Sequence, residues 1–107
     1  MAFHRVCGVD ELPEGELAAF FVDEVEVLLV PGDGAPRAFD GICPHEGHAL
    51  VDGTYDGETI VCSGHRWRFN ATTGRGINPS SCRLAQFPLQ IEGDAVMVDV
   101  DTELPLQ

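Results

Sequence analysis

Clusters of turn-forming residues interrupt this chain too often for a helix of ordinary length to fit between them: Pro13 to Gly15, Pro31 to Gly34, Asp52-Gly53, Asp56-Gly57, Gly74 to Gly76 and Glu92-Gly93-Asp94. The intervening segments are short and rich in Val, Ile and Phe, which is the rhythm of an all-β protein. Phe3 to Cys7, Leu17 to Val22, Val25 to Val30 and Arg37 to Asp40 are expected as strands of an N-terminal half. Leu89-Gln90-Ile91 and Ala95 to Val100 are expected as a closing hairpin across Glu92-Gly93-Asp94. Glu24-Val25-Glu26-Val27 alternates polar with apolar, and Val96, Val98 and Val100 recur every second residue, so each strand should bury one face. Glu11 to Phe20 has some helical spacing, but Pro13 and Gly15 restrict it to at most a turn. From about Gly41 to Cys82 strand-like runs thin out while Gly and His increase, as in an insertion on a β scaffold. The tail Asp101 to Gln107 is expected to fray.

With 107 residues the chain has enough apolar surface for one core, so a single domain over 1–107 is expected. Eighteen Asp and Glu against six Arg give a formal net charge of −12, which excludes a phosphate backbone as the partner. The acid excess is expected chiefly to keep the protein soluble, although it can also serve as a docking surface for a basic reductase or hydroxylase. No apolar run approaches the roughly 20 residues that span a bilayer. Leu28-Leu29-Val30 stops at Pro31-Gly32, and Met1-Ala2-Phe3-His4 lacks the pattern of a secretion signal. The expectation is a soluble, cytoplasmic protein without a membrane partner.

Four cysteines could staple a small secreted fold, but the absence of an export signal turns the reading toward metal. Cys43 and Cys62 each have a histidine within three residues, whereas Cys7 and Cys82 have none nearby and read as small buried residues. Cys43-Pro44-His45 and Cys62-Ser63-Gly64-His65 are separated by sixteen residues, and each supplies one thiolate and one imidazole from a tight loop. Four such ligands suit a tetrahedral zinc or a two-iron, two-sulfide cluster. A common zinc finger runs Cys, Cys, His, His; the order here is Cys, His, Cys, His, which lets each loop offer sulfur to one iron and nitrogen to the other. The cluster reading leads, with a zinc-stabilised binding module as the competitor.

Cys43-Pro44-His45-Glu46-Gly47-His48 followed by Cys62-Ser63-Gly64-His65-Arg66-Trp67-Arg68-Phe69 resembles the two cluster loops of a Rieske ferredoxin. The resemblance implies one Rieske-type [2Fe-2S] cluster, with Cys43 and Cys62 on the inner iron and His45 and His65 on the outer. It also implies an all-β Rieske fold: an antiparallel β sandwich or barrel base, about 1–40 and 83–107, carrying a two-loop cluster-binding lobe, about 41–82. Gly74-Arg75-Gly76-Ile77-Asn78-Pro79, Cys82, Leu84-Ala85 and Phe87-Pro88 further resemble the ferredoxin component of bacterial toluene, isoprene and alkene monooxygenases. In such systems the ferredoxin, a monomer by role, carries single electrons from a flavin-containing NADH reductase to a diiron hydroxylase. The ferredoxin of a ring-hydroxylating dioxygenase, serving that system's terminal component, is the alternative. No bond-breaking catalysis is implied, because saturated iron coordination leaves no position for substrate.

High-potential relatives in this superfamily have a disulfide between the loops and a serine hydroxyl on a bridging sulfide; the equivalent positions here are His48, Gly64 and Trp67. Without those devices the potential should lie at the low end of the Rieske range, and it should fall with pH only at alkaline pH, where the ligand imidazoles titrate. Trp67 and Phe69 share one side of a strand and are expected to pack beneath the cluster, while Arg66 and Arg68 face solvent. Gly47, Gly53, Gly64 and Pro79 read as backbone devices for tight turns, His48 as a loop residue, and His4 as an ordinary side chain on an edge strand.

Overall fold

The computed structural model describes residues 3–12, 15–31, 36–42, 49–62, 67–71, 73–78 and 84–104. Among the described residues eleven strands fall into three antiparallel sheets. β1 (His4–Gly8), β10 (Leu89–Glu92) and β11 (Ala95–Val98) form the first, in the order β1-β11-β10. β2 (Ala18–Val22), β3 (Val25–Val30), β4 (Arg37–Asp40) and β9 (Gln86–Phe87) form the second, in the order β2-β3-β4-β9. β5 (Thr54–Tyr55), β6 (Thr59–Val61), β7 (Arg68–Asn70) and β8 (Gly76–Asn78) form the third, each pairing with the next.

The six expected strands are present within one or two residues of their assigned ends, because alternation and turn residues specify them locally. The thinly stranded middle segment needs correction: it builds the whole third sheet, from strands of only two or three residues too short to show a period. The sheets are open, so the base is a sandwich rather than a closed barrel. Short 3-10 turns form at Val9–Glu11 and Leu50–Asp52, and β2 begins at Ala18 where the helical spacing was ambiguous. Part of the tail is also tied down: Leu104 N–H donates to the Gln86 carbonyl at 2.7 Å, while residues 105–107 lie outside the described ones.

β3 departs from the half-buried expectation in an informative way. From Val27 to Val30 every side chain is buried, because the second sheet lies between the other two. Val27 and Leu29 pack with Cys7, Ala38, Phe87, Val96 and Val98 against the first sheet. Leu28 and Val30 point the other way and pack with Phe39, Leu50, Ile60, Cys62, Phe69, Ala71 and Leu84 under the third. A strand covered on both faces reads as a continuous apolar run, which is the pattern of Val27-Leu28-Leu29-Val30. The turn joining β2 to β3 is Asp23-Glu24, both at positive φ (48° and 70°), the geometry of a two-residue type I′ hairpin. His4, on the edge strand β1, pairs with Asp23 at 3.4 Å.

Among the described residues no helix is long and apolar enough to cross a membrane.

Candidate metal centre

The two motif segments are closed at their stems by short pairings, one between the second and third sheets and one within the third. Ile42 and Ala49 form an antiparallel bridge around residues 43–48. Its inner end is fixed to β3: Gly41 N–H donates to the Glu26 carbonyl and Leu50 N–H to the Gly41 carbonyl, each at 2.8 Å. Asp40 Oδ1 accepts from Ile42 N–H at 3.0 Å, holding the chain as it enters the loop. The second stem is the β6–β7 hairpin, where Cys62 N–H donates to the Trp67 carbonyl at 2.8 Å around residues 63–66.

Of the four expected ligands, Cys62 is the one within the described residues; Cys43, His45 and His65 lie outside them, as do His48, Gly47, Gly64, Arg66, Pro79 and Cys82. Cys62 is 2% exposed, free of any disulfide, and belongs to the core cluster that also holds Leu50, Ile60 and Phe69. A soft sulfur donor at the mouth of a hairpin, with apolar packing on its inner side, fits an inner, water-shielded iron of a [2Fe-2S] cluster. Trp67 is half-buried and packs on the same hydrophobic core, and Phe69 is fully buried two residues on, so the core packing expected of this pair is present. Arg68 is exposed, as its position between them requires.

What sequence reasoning missed is the joint between the stems. Gly53 ends the 3-10 turn that follows the first loop and lies against β6; an added Cβ would collide with the Val61 carbonyl oxygen. The reading of Gly53 as a turn device was correct in kind, but the constraint is close backbone approach across strands. Gly74 works similarly: at φ +79° its carbonyl accepts from Leu84 N–H at 2.7 Å, and a Cβ would stand 2.9 Å from the Phe39 ring. It pins Leu84 to the core that also holds Leu50 and Cys62.

Two ionisable groups are perturbed. Amide N–H groups of Glu58 and Thr59 hold the Asp56 carboxyl below the usual aspartate range, with a smaller contribution from Arg68. Burial pushes the Cys7 thiol up, reinforced by Glu11 and Asp10 and opposed by Arg5. Cys7 packs between the first two sheets, in a different cluster from Cys62, so the structure separates it from the candidate centre.

Residues 2–88 match the family model for the Rieske [2Fe-2S] domain. The ferredoxin component of the alkene monooxygenase system of Xanthobacter autotrophicus is 46% identical over 90% of this chain and 80% of its own length. The biphenyl dioxygenase ferredoxin subunit of a Pseudomonas species is 37% identical over 92% of this chain and 93% of its own. Among solved structures, the ferredoxin of carbazole 1,9a-dioxygenase from Nocardioides aromaticivorans superposes with a TM-score of 0.81 at 28% identity, covering 92% of this chain and 97% of that one. Three open antiparallel layers, two stemmed loops and a buried cysteine at the second stem agree with these matches, and the chain belongs to the Rieske [2Fe-2S] domain family.

Proposed function

We propose that this protein is a Rieske ferredoxin that carries single electrons from a flavin-containing NADH reductase to the diiron hydroxylase of a multicomponent monooxygenase acting on alkenes or aromatic compounds. The observation that carries the reading is the pair of stems rooted in one core. Leu50, just past the first loop, and Cys62, at the start of the second, pack in the same buried cluster. Cys43 and Cys62 then ligate the inner iron and His45 and His65 the outer, over a lobe of about 41–82 on a base of about 1–40 and 83–107, within a monomer.

The cluster supplies reversible one-electron chemistry. The chain's own part is to hold the ligands and keep water from the inner side. The Cys62–Trp67 hydrogen bond fixes the second hairpin, Phe69 and Ile60 close the floor, and the Gly53 contact fixes the first loop's exit against β6. Oxygen activation and substrate choice belong to the partner. Higher identity to the alkene monooxygenase ferredoxin than to the biphenyl dioxygenase subunit, 46% against 37%, favours a monooxygenase partner.

The test is reconstitution. The purified holoprotein is mixed with reductase and oxygenase pairs from both kinds of system, and substrate oxidation is followed with and without it. Turnover that requires this chain with a diiron hydroxylase supports the proposal, and turnover with a dioxygenase alone moves it to the alternative. Metal analysis returning zinc, or no iron and acid-labile sulfide, removes it.

A further inference from the structure

Glu26 carries a charge that nothing around it answers. Its Oε2 is shut off from solvent and has no hydrogen-bond partner among the described residues, and no ion pair among them involves its carboxylate. Buried polar oxygens are ordinarily satisfied, so this one calls for a partner. Strand pairing sets its place. Leu28 and Val30 face the third sheet, and Glu26 shares that face of β3 by the period of two. It lies beyond the core, at the end of the strand where Gly41 leads into the stem of the first motif. Gly41 N–H donates to the Glu26 carbonyl, and a Cβ on Gly41 would stand 3.2 Å from Oε2. Across the sheet Glu26 is opposite Phe21, on the edge strand β2. Val22 and Val25 flank the two-residue turn as a hydrogen-bonded pair, so Phe21 and Glu26 form a non-hydrogen-bonded pair, the kind whose side chains stand closest. Phe21 is 72% exposed, more than any other large apolar side chain described.

An exposed ring beside a carboxylate without a cation fits one kind of ligand, a cationic side chain. A guanidinium lies flat on a phenyl face while its N–H groups reach a neighbouring carboxylate. The surrounding charge favours the same ligand. Residues 6–36 hold eight carboxylates and no Arg, Lys or His, and Asp23 and Glu24 in the adjoining turn are both exposed. The cations among the described residues are paired or distant. His4 faces Asp23 at 3.4 Å, Arg5 reaches toward Gly8 at the other end of β1, and Arg37 is opposite Val30 at the far end of β3. Arg68 and Arg75 belong to the third sheet, where Arg68 acts on Asp56. One oxygen of Glu26 is already dry in the free protein, so a docking guanidinium meets a carboxylate whose dehydration is partly complete, and the pair is stronger than an ordinary exposed one. Reduction adds one negative charge to the cluster that the first motif helps to hold. A basic partner therefore binds the reduced carrier more tightly than the oxidised one. An electron acceptor needs that preference, since it must capture the reduced form and release the oxidised form.

We propose that Phe21 and Glu26 form the docking point for an arginine side chain of the electron acceptor. The inference rests on the electron-carrier reading above. The experiment measures binding of reduced and oxidised holoprotein to the purified oxygenase and, separately, to the purified reductase by anaerobic calorimetry, at low and near-physiological salt, with iron and sulfide content checked for each variant. At low salt Glu26→Gln is expected to weaken binding of the reduced form to the oxygenase about tenfold and Phe21→Ser about threefold. Asp94→Asn makes the same change of charge beside Gly8, at the end of β1 away from His4, and is expected to change binding by less than about twofold. Added salt should shrink the Glu26 effect more than the Phe21 effect, and the reduced parent should bind severalfold more tightly than the oxidised. Glu26→Gln or Phe21→Ser binding as tightly as the parent, or Asp94→Asn weakening binding as much as Glu26→Gln, overturns the inference. Variants that weaken binding to the reductase but not to the oxygenase overturn the assignment to the acceptor. If Glu26→Gln fails to retain iron, Phe21→Ser, changed at an exposed side chain, decides it by the same comparison. A reduced parent that no oxygenase oxidises brings down the carrier reading itself; a parent oxidised normally, with both variants equally good, brings down only the docking point.

Discussion

Gly53→Ala isolates the steric joint between the two stems. Gly53 has extended backbone, φ −84° and ψ −157°, which alanine adopts freely, and its N–H donates to the Leu50 carbonyl at 2.9 Å. Conformational entropy alone would make alanine the better residue by about 0.5 kcal/mol. The added methyl, however, overlaps the Val61 carbonyl oxygen and stands 3.0 Å from the Val61 carbonyl carbon and 3.3 Å from the Leu50 oxygen. These obstacles are backbone atoms, so no flexible side chain can swing aside; the turn and β6 must separate. Overpacking of this kind costs about 2–3 kcal/mol, leaving a net loss of roughly 2 kcal/mol. For a domain of this size that corresponds to a melting point lower by roughly 10 °C. Thermal unfolding of the holoprotein by circular dichroism, with iron and sulfide content measured in parallel, reads both the fold and the geometry of the centre. Gly57→Ala is the control. At φ +99° with nothing within 4 Å of its would-be Cβ, it suffers only backbone strain, about 1 kcal/mol, and should keep full iron. A Gly53→Ala protein that melts within about 2 °C of the parent and holds its full iron would refute the reasoning.

Glu24→Gly removes the strain of a side chain at φ 70° and is expected to stabilise by about 1 kcal/mol in equilibrium unfolding. Asp99 is buried and accepts from Asp101 N–H and the Thr102 hydroxyl, each at 2.9 Å; Asp99→Ala removes both acceptors and should cost about 1–2 kcal/mol, measured the same way. Cys7 has its folded pKa raised by burial, so its contribution to stability is complete below the unfolded thiol pKa and is lost as pH rises through the folded value. Iodoacetamide should accordingly leave Cys7 unmodified in the native holoprotein near neutral pH and label it on unfolding, as peptide mass mapping would show. The reduction potential is expected near about −150 mV, flat through neutral pH and falling only at alkaline pH. A titration giving a potential well above zero contradicts this.

The candidate ligands were legible because their chemistry is carried by residue type and spacing. Cys43, His45, Cys62 and His65 stand out in any reading of the sequence, and Cys62, the one of them among the described residues, is buried. Strands such as Val25–Val30 were legible because local turns bound them. The third sheet was not, since strands of two or three residues gain their hydrogen bonds only from neighbours and leave no periodic trace. Nor was the tail's attachment at Leu104, a single long-range hydrogen bond.

From the sequence alone come the strand rhythm, the two motifs that pair a cysteine with a histidine, and the sign of the net charge, because each depends on nearby residues or on composition. Tertiary structure alone decided that Val27 to Val30 would be covered on both faces and that Gly53 would meet Val61. Those outcomes depend on which strand lies against which. That is settled only when three sheets compete to bury their apolar sides around a common middle layer.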